Sequence, residues 1–241
     1  MMIRESVEKY VTARPARKET PVLYVSDLGY HPYKTMSRIL LGETSEFDVG
    51  TRIKMQYGNA FESETTRALQ YAYPNVLTQF PLWNDKWSGY ADFVIGHGTD
   101  GERPVIVEHK ATGDQWFDYK NSLPRSAHVC QLWMYGWLYE QMYGIRPDLV
   151  LYYVAWGSFA EFTLRPGGEG MIAQGSVNGR HEVRGRRIAP NLLRMEIEHF
   201  FETKNLPNPE GADSWEYAEV AHTRLLADLL RNPAWKGVAL C

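Results

Sequence analysis

The feature that most constrains this chain is a pair of apolar, period-two segments split by a Gly-rich turn at 96–101. They are Trp87-Ser88-Gly89-Tyr90-Ala91-Asp92-Phe93-Val94-Ile95 and Pro104-Val105-Ile106-Val107-Glu108-His109-Lys110. Alternation of this kind marks strands, and so short a connection predicts an antiparallel hairpin. The phase puts Asp92 on one face with Tyr90 and Val94, leaving Phe93 and Ile95 on the other. In the second strand Ile106, Glu108 and Lys110 share a face, with Val105, Val107 and His109 opposite. An acid between apolar strand neighbours is costly unless it meets a metal, a cation or solvent. Pairing brings Asp92 towards Glu108 and Lys110 at one end of the sheet. Two adjacent carboxylates raise one another's proton affinity, a penalty that a divalent cation removes. An all-oxygen ligand set favours magnesium, with manganese as its substitute. The plain alternative is an ion pair between Lys110 and either acid on a surface strand.

Flanking segments read as helices. One is predicted from about Thr51 to Tyr73, stopped by Pro74, and carries Glu62 four residues after Gly58, a small residue that permits close approach. Glu62 shares a face with Gly58 and Thr65/Thr66 and is the candidate third acid, with Glu64 as its rival. A long helix is predicted from Ser126 to Met142, ending at Gly144, with Gln131 and Tyr135 four apart and so on one face. Both line the candidate site: Gln131 because a buried amide needs partners, Tyr135 against the reading of a core aromatic. His128, one turn earlier, is a weaker candidate. Ser26 is a good N-cap for a helix over Asp27–Leu41, whose early turns Pro32 would distort. Further strands are expected at Asn75–Pro81, Leu149–Trp156 and Phe159–Leu164. Gly-rich turns follow, then helices at about 189–204 and 214–231. The order predicts an α/β core. Its parts are an N-terminal arm (1–25), a core (26–165) and a C-terminal, partly helical extension packed on it (166–241).

Composition mainly excludes. The formal net charge of -3 does not announce a protein that coats nucleic acid, although bound cations can reverse a local field. Two cysteines, Cys130 and Cys241, rule out a disulfide framework, a four-cysteine zinc site and a cysteine-ligated cluster, and fit a reducing compartment. The polar start MMIRESVEKY is unlike a secretory signal, and no apolar run is long enough for a membrane span.

Taken together, Gly58 to Glu62, Gly89-Tyr90-Ala91-Asp92, Glu108-His109-Lys110 and Gln131 to Tyr135 resemble the PD-(D/E)XK nuclease superfamily, in its RecB-like and phage-exonuclease branch. The likeness covers roughly residues 26–156. It implies a restriction-endonuclease-like core, a central mixed β-sheet flanked by helices. It implies magnesium held by Glu62, Asp92 and Glu108, with the backbone carbonyl of His109 as a further ligand and Lys110 beside the attacking water or phosphate. Some relatives carry histidine at the position of Glu62. Ser26-Asp27-Leu28-Gly29 resembles the start of the branch's first helix, where some members have a cluster-binding cysteine that this chain lacks.

The implied activity is a DNA exonuclease of recombination, repair or phage DNA processing. Its substrate is linear DNA with free ends, its setting the cytoplasm of a bacterium or phage-infected cell, with room for a recombination partner and an oligomer. A site- or structure-selective endonuclease and a silent DNA-binding module are the alternatives. Candidate DNA contacts are Trp116, Tyr119 and Lys120 in the loop after Lys110, and Arg184, Arg186 and Arg187 in the densest basic run. Each has an ordinary reading as well: a packed aromatic loop and a solvated charged surface.

Overall fold

The computed structural model describes residues 23–42, 48–99, 101–114, 117, 123–167, 170–182, 187–208, 217, 221, 224 and 225. Strand β1 (Leu23–Tyr24) leads through a 3-10 turn (Val25–Asp27) to helix α1 (Pro32–Leu41). Ser26 therefore sits inside the 3-10 turn and caps no long helix. His31 is the N-cap instead, its Nδ1 accepting from the Tyr33 amide at 3.1 Å. Pro32 occupies the first helical turn, where its missing N–H costs nothing, so it opens the helix rather than distorting it.

Helix α2 (Val49–Ala72) is capped by Asp48 and precedes the hairpin of β2 (Leu77–Trp83) and β3 (Trp87–Ile95). β2 runs antiparallel along β3 from Leu77 opposite Val94 to Trp83 opposite Ser88. The other edge of β3 meets two partners in turn. β4 (Val105–Ala111) pairs antiparallel with it only over Phe93–Ile95, and β1 pairs parallel with Trp87 and Ser88. The expected hairpin forms but opens after three residue pairs. Among the described residues no strand covers this edge of β3 from 89 to 92, and the candidate acids gather at this fork.

From β4 the chain crosses through α3 (Ser126–Tyr143) to β5 (Asp148–Val154), which lies parallel to β4 over its whole length. A parallel neighbour needs such a crossover. β6 (Phe159–Gly167), β7 (Gly170–Val177) and β8 (Arg180–Glu182) continue the sheet antiparallel, and β9 (Arg187–Ile188) pairs with the other part of β7. Among the described residues the result is a nine-stranded mixed sheet. β6 runs through the expected boundary at 165, so the first part of the C-terminal extension belongs to the same sheet. Helix α4 (Pro190–Thr203) packs on α1 and α3. It is tied to the start of β3 by Trp87 Nε1, which donates to Glu198 at 2.7 Å.

The helices α2 and α3 cover opposite faces. α3 is apolar nearly all round and buries Val129, Leu132, Met134 and Leu138 in the main core with Ile106, Leu151 and Phe162. A smaller cluster of Val76, Phe93 and Val107 lies under Leu69 of α2. The strand phases read from the sequence therefore hold: Phe93 and Val107 share one face, Val94 and Ile106 the other. In the segment after Lys110, Phe117 and Leu123 are buried in the main core. No helix among the described residues is long and apolar enough to cross a membrane.

Candidate active site

Where the edge of β3 opens, its polar groups find side-chain partners. Asp92 Oδ2 accepts the backbone N–H of His109 at 2.8 Å, standing in for a strand across the fork. The Tyr135 hydroxyl, from α3, hydrogen-bonds the backbone of Tyr90 and accepts from Gln131 Nε2 at 3.3 Å. This insertion needs space at Gly89, where an added Cβ would stand 2.9 Å from Tyr135 Cε1 and 2.9 Å from Val25 Cβ. Gly89→Ala should therefore cost about 1–3 kcal/mol as an overpacked core change. Thermal unfolding should show the melting point lower by several degrees, and an unchanged value would mean that the α3 packing yields freely.

Glu108 is the most buried charged group of the cluster, 1% exposed. Lys110 Nζ donates to its Oε1 at 2.6 Å, while Oε2 has no hydrogen-bond partner. Burial, with Asp92 and Glu62 nearby, pushes its carboxyl up to about 8 despite the ammonium. Asp92 is shifted upward mainly by burial, against the pull of Lys110 and the His109 amide, and has Glu108 within hydrogen-bonding reach. Lys110 is also raised: burial works against its charge, and Glu108 and Asp92 outweigh it. The site is thus a nest of acids short of positive charge.

Glu62 completes the arc from α2. It is half-buried and raised by desolvation and by Asp92. Glu64 points to solvent and pairs with Arg67 at 2.8 Å, away from the cluster that Glu62 joins. A Cβ at Gly58 would meet Ala111 at 3.9 Å, an ordinary contact, so α2 does not need glycine there.

The residue that sequence reasoning missed is Gln79. Its Nε2 donates to Glu62 Oε1 at 2.7 Å and to Asp92 Oδ1 at 3.2 Å, linking α2 to β3. It sits in β2 between the pairs Thr78–Phe93 and Phe80–Ala91, opposite Asp92, with a left-handed φ of 48°. Such a φ is uncommon outside glycine, asparagine and aspartate. Leu77, Phe80 and Leu82 all contact the main core, so the alternation of β2 breaks at Gln79. That irregularity, three residues from Leu77 to Phe80 where two would keep the face, is the faint signal that the sequence carried.

The other expected residues divide. Gln131 and Tyr135 line a groove of about 210 Å³ with Gln79, Ser88, Gly89 and Tyr90, and Glu62, Asp92, Glu108 and Lys110 are not among its lining residues. The His109 side chain turns away from the acids, as its strand phase requires, and lies 5.9 Å from the Tyr152 ring. Its Nε2 has no partner, and burial lowers its pKa to about 4. His128 bonds the Tyr153 hydroxyl at 2.8 Å through Nδ1, a role in anchoring α3. Trp116, Tyr119, Lys120, Arg184 and Arg186 lie outside the described residues, and of Arg187 only the backbone, paired with Ile172, is described.

The donor set is all oxygen at Glu62, Asp92 and Glu108, and the orphan Glu108 Oε2 is the kind of buried atom that a hard cation would satisfy. Their present spacing is not that of a finished centre. Among the described residues no three His, Cys, Asp or Glu side chains stand close enough together to hold a metal ion. Gln79 and Lys110 hold the carboxylates by hydrogen bonds instead.

Among solved structures, the chain resembles SSO0001 with a TM-score of 0.52 at 17% identity, over 84% of this chain and 86% of that one. At this identity the likeness shows an α/β fold with a mixed sheet flanked by helices. No family model matches the chain, and no curated protein does.

Proposed function

We propose that this protein is a magnesium-dependent nuclease acting on DNA, with the restriction-endonuclease-like core and RecB-like motifs that its sequence resembles. The observation that carries the reading is the convergence of Glu62, Asp92, Glu108 and Lys110 at the fork of β3 and β4, with Glu108 buried and its Oε2 given no donor by the surrounding side chains. A bound magnesium would be held by these three carboxylates and would supply charge stabilisation at phosphoryl oxygens and an acidified water. The chain's own groups do the rest. The His109 amide orients Asp92. Lys110 stays protonated beside Glu108 and acts as an electrostatic support for the phosphate, because its neighbours favour the charged form over a general base. Gln131 and Tyr135 line the groove that Gln79 borders, the Gln131 amide bonded to the Tyr135 hydroxyl.

Initial rates on single-stranded, duplex, nicked and closed circular DNA, and on RNA, with magnesium, manganese or EDTA, test this. Cleavage that is metal-dependent and lost in EDTA is expected, and a rate indifferent to EDTA overturns the mechanism. Action from ends, in recombination, repair or phage DNA processing, is the preferred form on the motif resemblance. Continued cutting of the closed circle replaces it with an endonuclease, and no turnover on any substrate with a silent binding module. Glu62→Gln should reduce the magnesium-dependent rate about tenfold or more, as loss of one electrostatic element does. Glu64→Gln, which removes only a solvent-exposed ion pair, should leave it within about twofold. The reverse order would return the third acid to Glu64.

A further inference from the structure

Gln79 bridges two of the three candidate acids. Its amide nitrogen stands between Glu62 and Asp92, 2.7 Å and 3.2 Å from their oxygens. A magnesium ion draws carboxylate oxygens to about 2.0–2.1 Å, and the positive edge of an amide NH2 cannot share that gap with it. Glu108, whose buried Oε2 receives no donor, belongs to the same cluster. The amide also has somewhere to go, because Gln79 already lines the groove formed by Ser88, Tyr90, Gln131 and Tyr135.

We propose that Gln79 is a positioning residue that latches the metal-free site: its amide holds Glu62 and Asp92 together in place of a divalent cation, and cation binding displaces it into the groove. This rests on reading Glu62, Asp92 and Glu108 as a cation site. The latch keeps two repelling carboxylates in register while no cation is present. Its release couples cation binding to the wall that faces the substrate. The left-handed backbone at Gln79 breaks the alternation of β2, and the side chain reaches Glu62 and Asp92.

The test uses Gln79→Asn and Gln79→Gly, both of which accept a left-handed backbone, so that any effect comes from the lost bridge and not from strain. Asparagine is one methylene shorter and cannot span the two acids. Manganese binding to the full chain is measured by titration calorimetry, with thermal unfolding in EDTA and in saturating manganese. Both variants should bind manganese about threefold to tenfold more tightly, since no charge-assisted hydrogen bond has to be broken. Their metal-free melting point should fall, so that the gap between metal-free and metal-bound unfolding widens. Weaker manganese binding would mean that the amide pre-organises or ligates the ion, and unchanged binding that it stands clear of it; either overturns the latch. Glu62→Gln and Asp92→Asn serve as the separate control. If wild type binds manganese and neither substitution weakens that binding, the cation-site reading fails, whatever Gln79 does.

Discussion

Asp92→Asn should lower magnesium-dependent DNA cleavage by at least ~100-fold, the loss expected when a principal electrostatic element of a phosphoryl-transfer site is removed. The asparagine is chosen because its amide oxygen can still accept the His109 N–H, the bond that closes the fork at 2.8 Å. The backbone of β4 is then kept in place while the negative charge goes. Circular dichroism and the melting point of the variant should match wild type within a few degrees, which separates lost chemistry from lost fold. Manganese binding should weaken in parallel. Wild-type activity in Asp92→Asn would remove Asp92 from the reaction and, with it, the role assigned to the fork.

The second large effect concerns stability against pH in the chelated protein. Glu108 has a folded pKa of about 8 against an ordinary 4.5. Between these values the folded state holds a proton that the unfolded state has lost. Its contribution to stability is complete below 4.5 and disappears as pH rises through 8. The buried His109 and His128 have the opposite sign, their pKa values lowered from 6.5, so they destabilise the fold as pH falls below that point. From pH 6.5 to 8 the Glu108 contribution falls after those of His109 and His128 have passed, with Asp92, Glu62 and Lys110 as its titratable neighbours. With one proton at about 1.4 kcal/mol per pH unit, the decline should be on the order of 2 kcal/mol. For a chain of this size that is roughly 4–8 °C in melting point. Glu108→Gln should flatten the curve in EDTA, and saturating magnesium should flatten it in wild type. A melting point that is level or rising from 6.5 to 8 in EDTA would show that Lys110 holds Glu108 ionised and that burial has been outweighed.

Both effects start from residues whose placement was legible in the chain. Strand phase alone separates Asp92, Glu108 and Lys110 from Phe93, Val107 and His109, because a strand's side chains alternate whatever the strand pairs with. Helical spacing likewise puts Gln131 and Tyr135 on one face, and Tyr135 does reach the groove. The choice of Glu62 over Glu64 was readable as a preference, and the Glu64–Arg67 pair on the solvent side agrees with it. The N-terminal helix was misread because Ser26 is as good a cap in isolation as His31. What decides between them is that β1 pairs with β3 and commits the following residues to a tight turn.

By itself, then, the sequence determined which residues can be neighbours along each element: the alternating acids, the paired helix positions and the apolar face that each element must bury. Periodicity is a local property, and it survives any tertiary arrangement. Only the tertiary structure decided how far β4 follows β3 before leaving it, since that depends on β1 claiming the remainder of the same edge. The opening so made lets Tyr135 and the Asp92 carboxylate serve the exposed backbone. Gln79 faces it from the neighbouring strand, its amide between two acids that lie far from it in sequence. A contact of that kind has no period to announce it. It follows from register and from one left-handed residue, which only the assembled sheet could select.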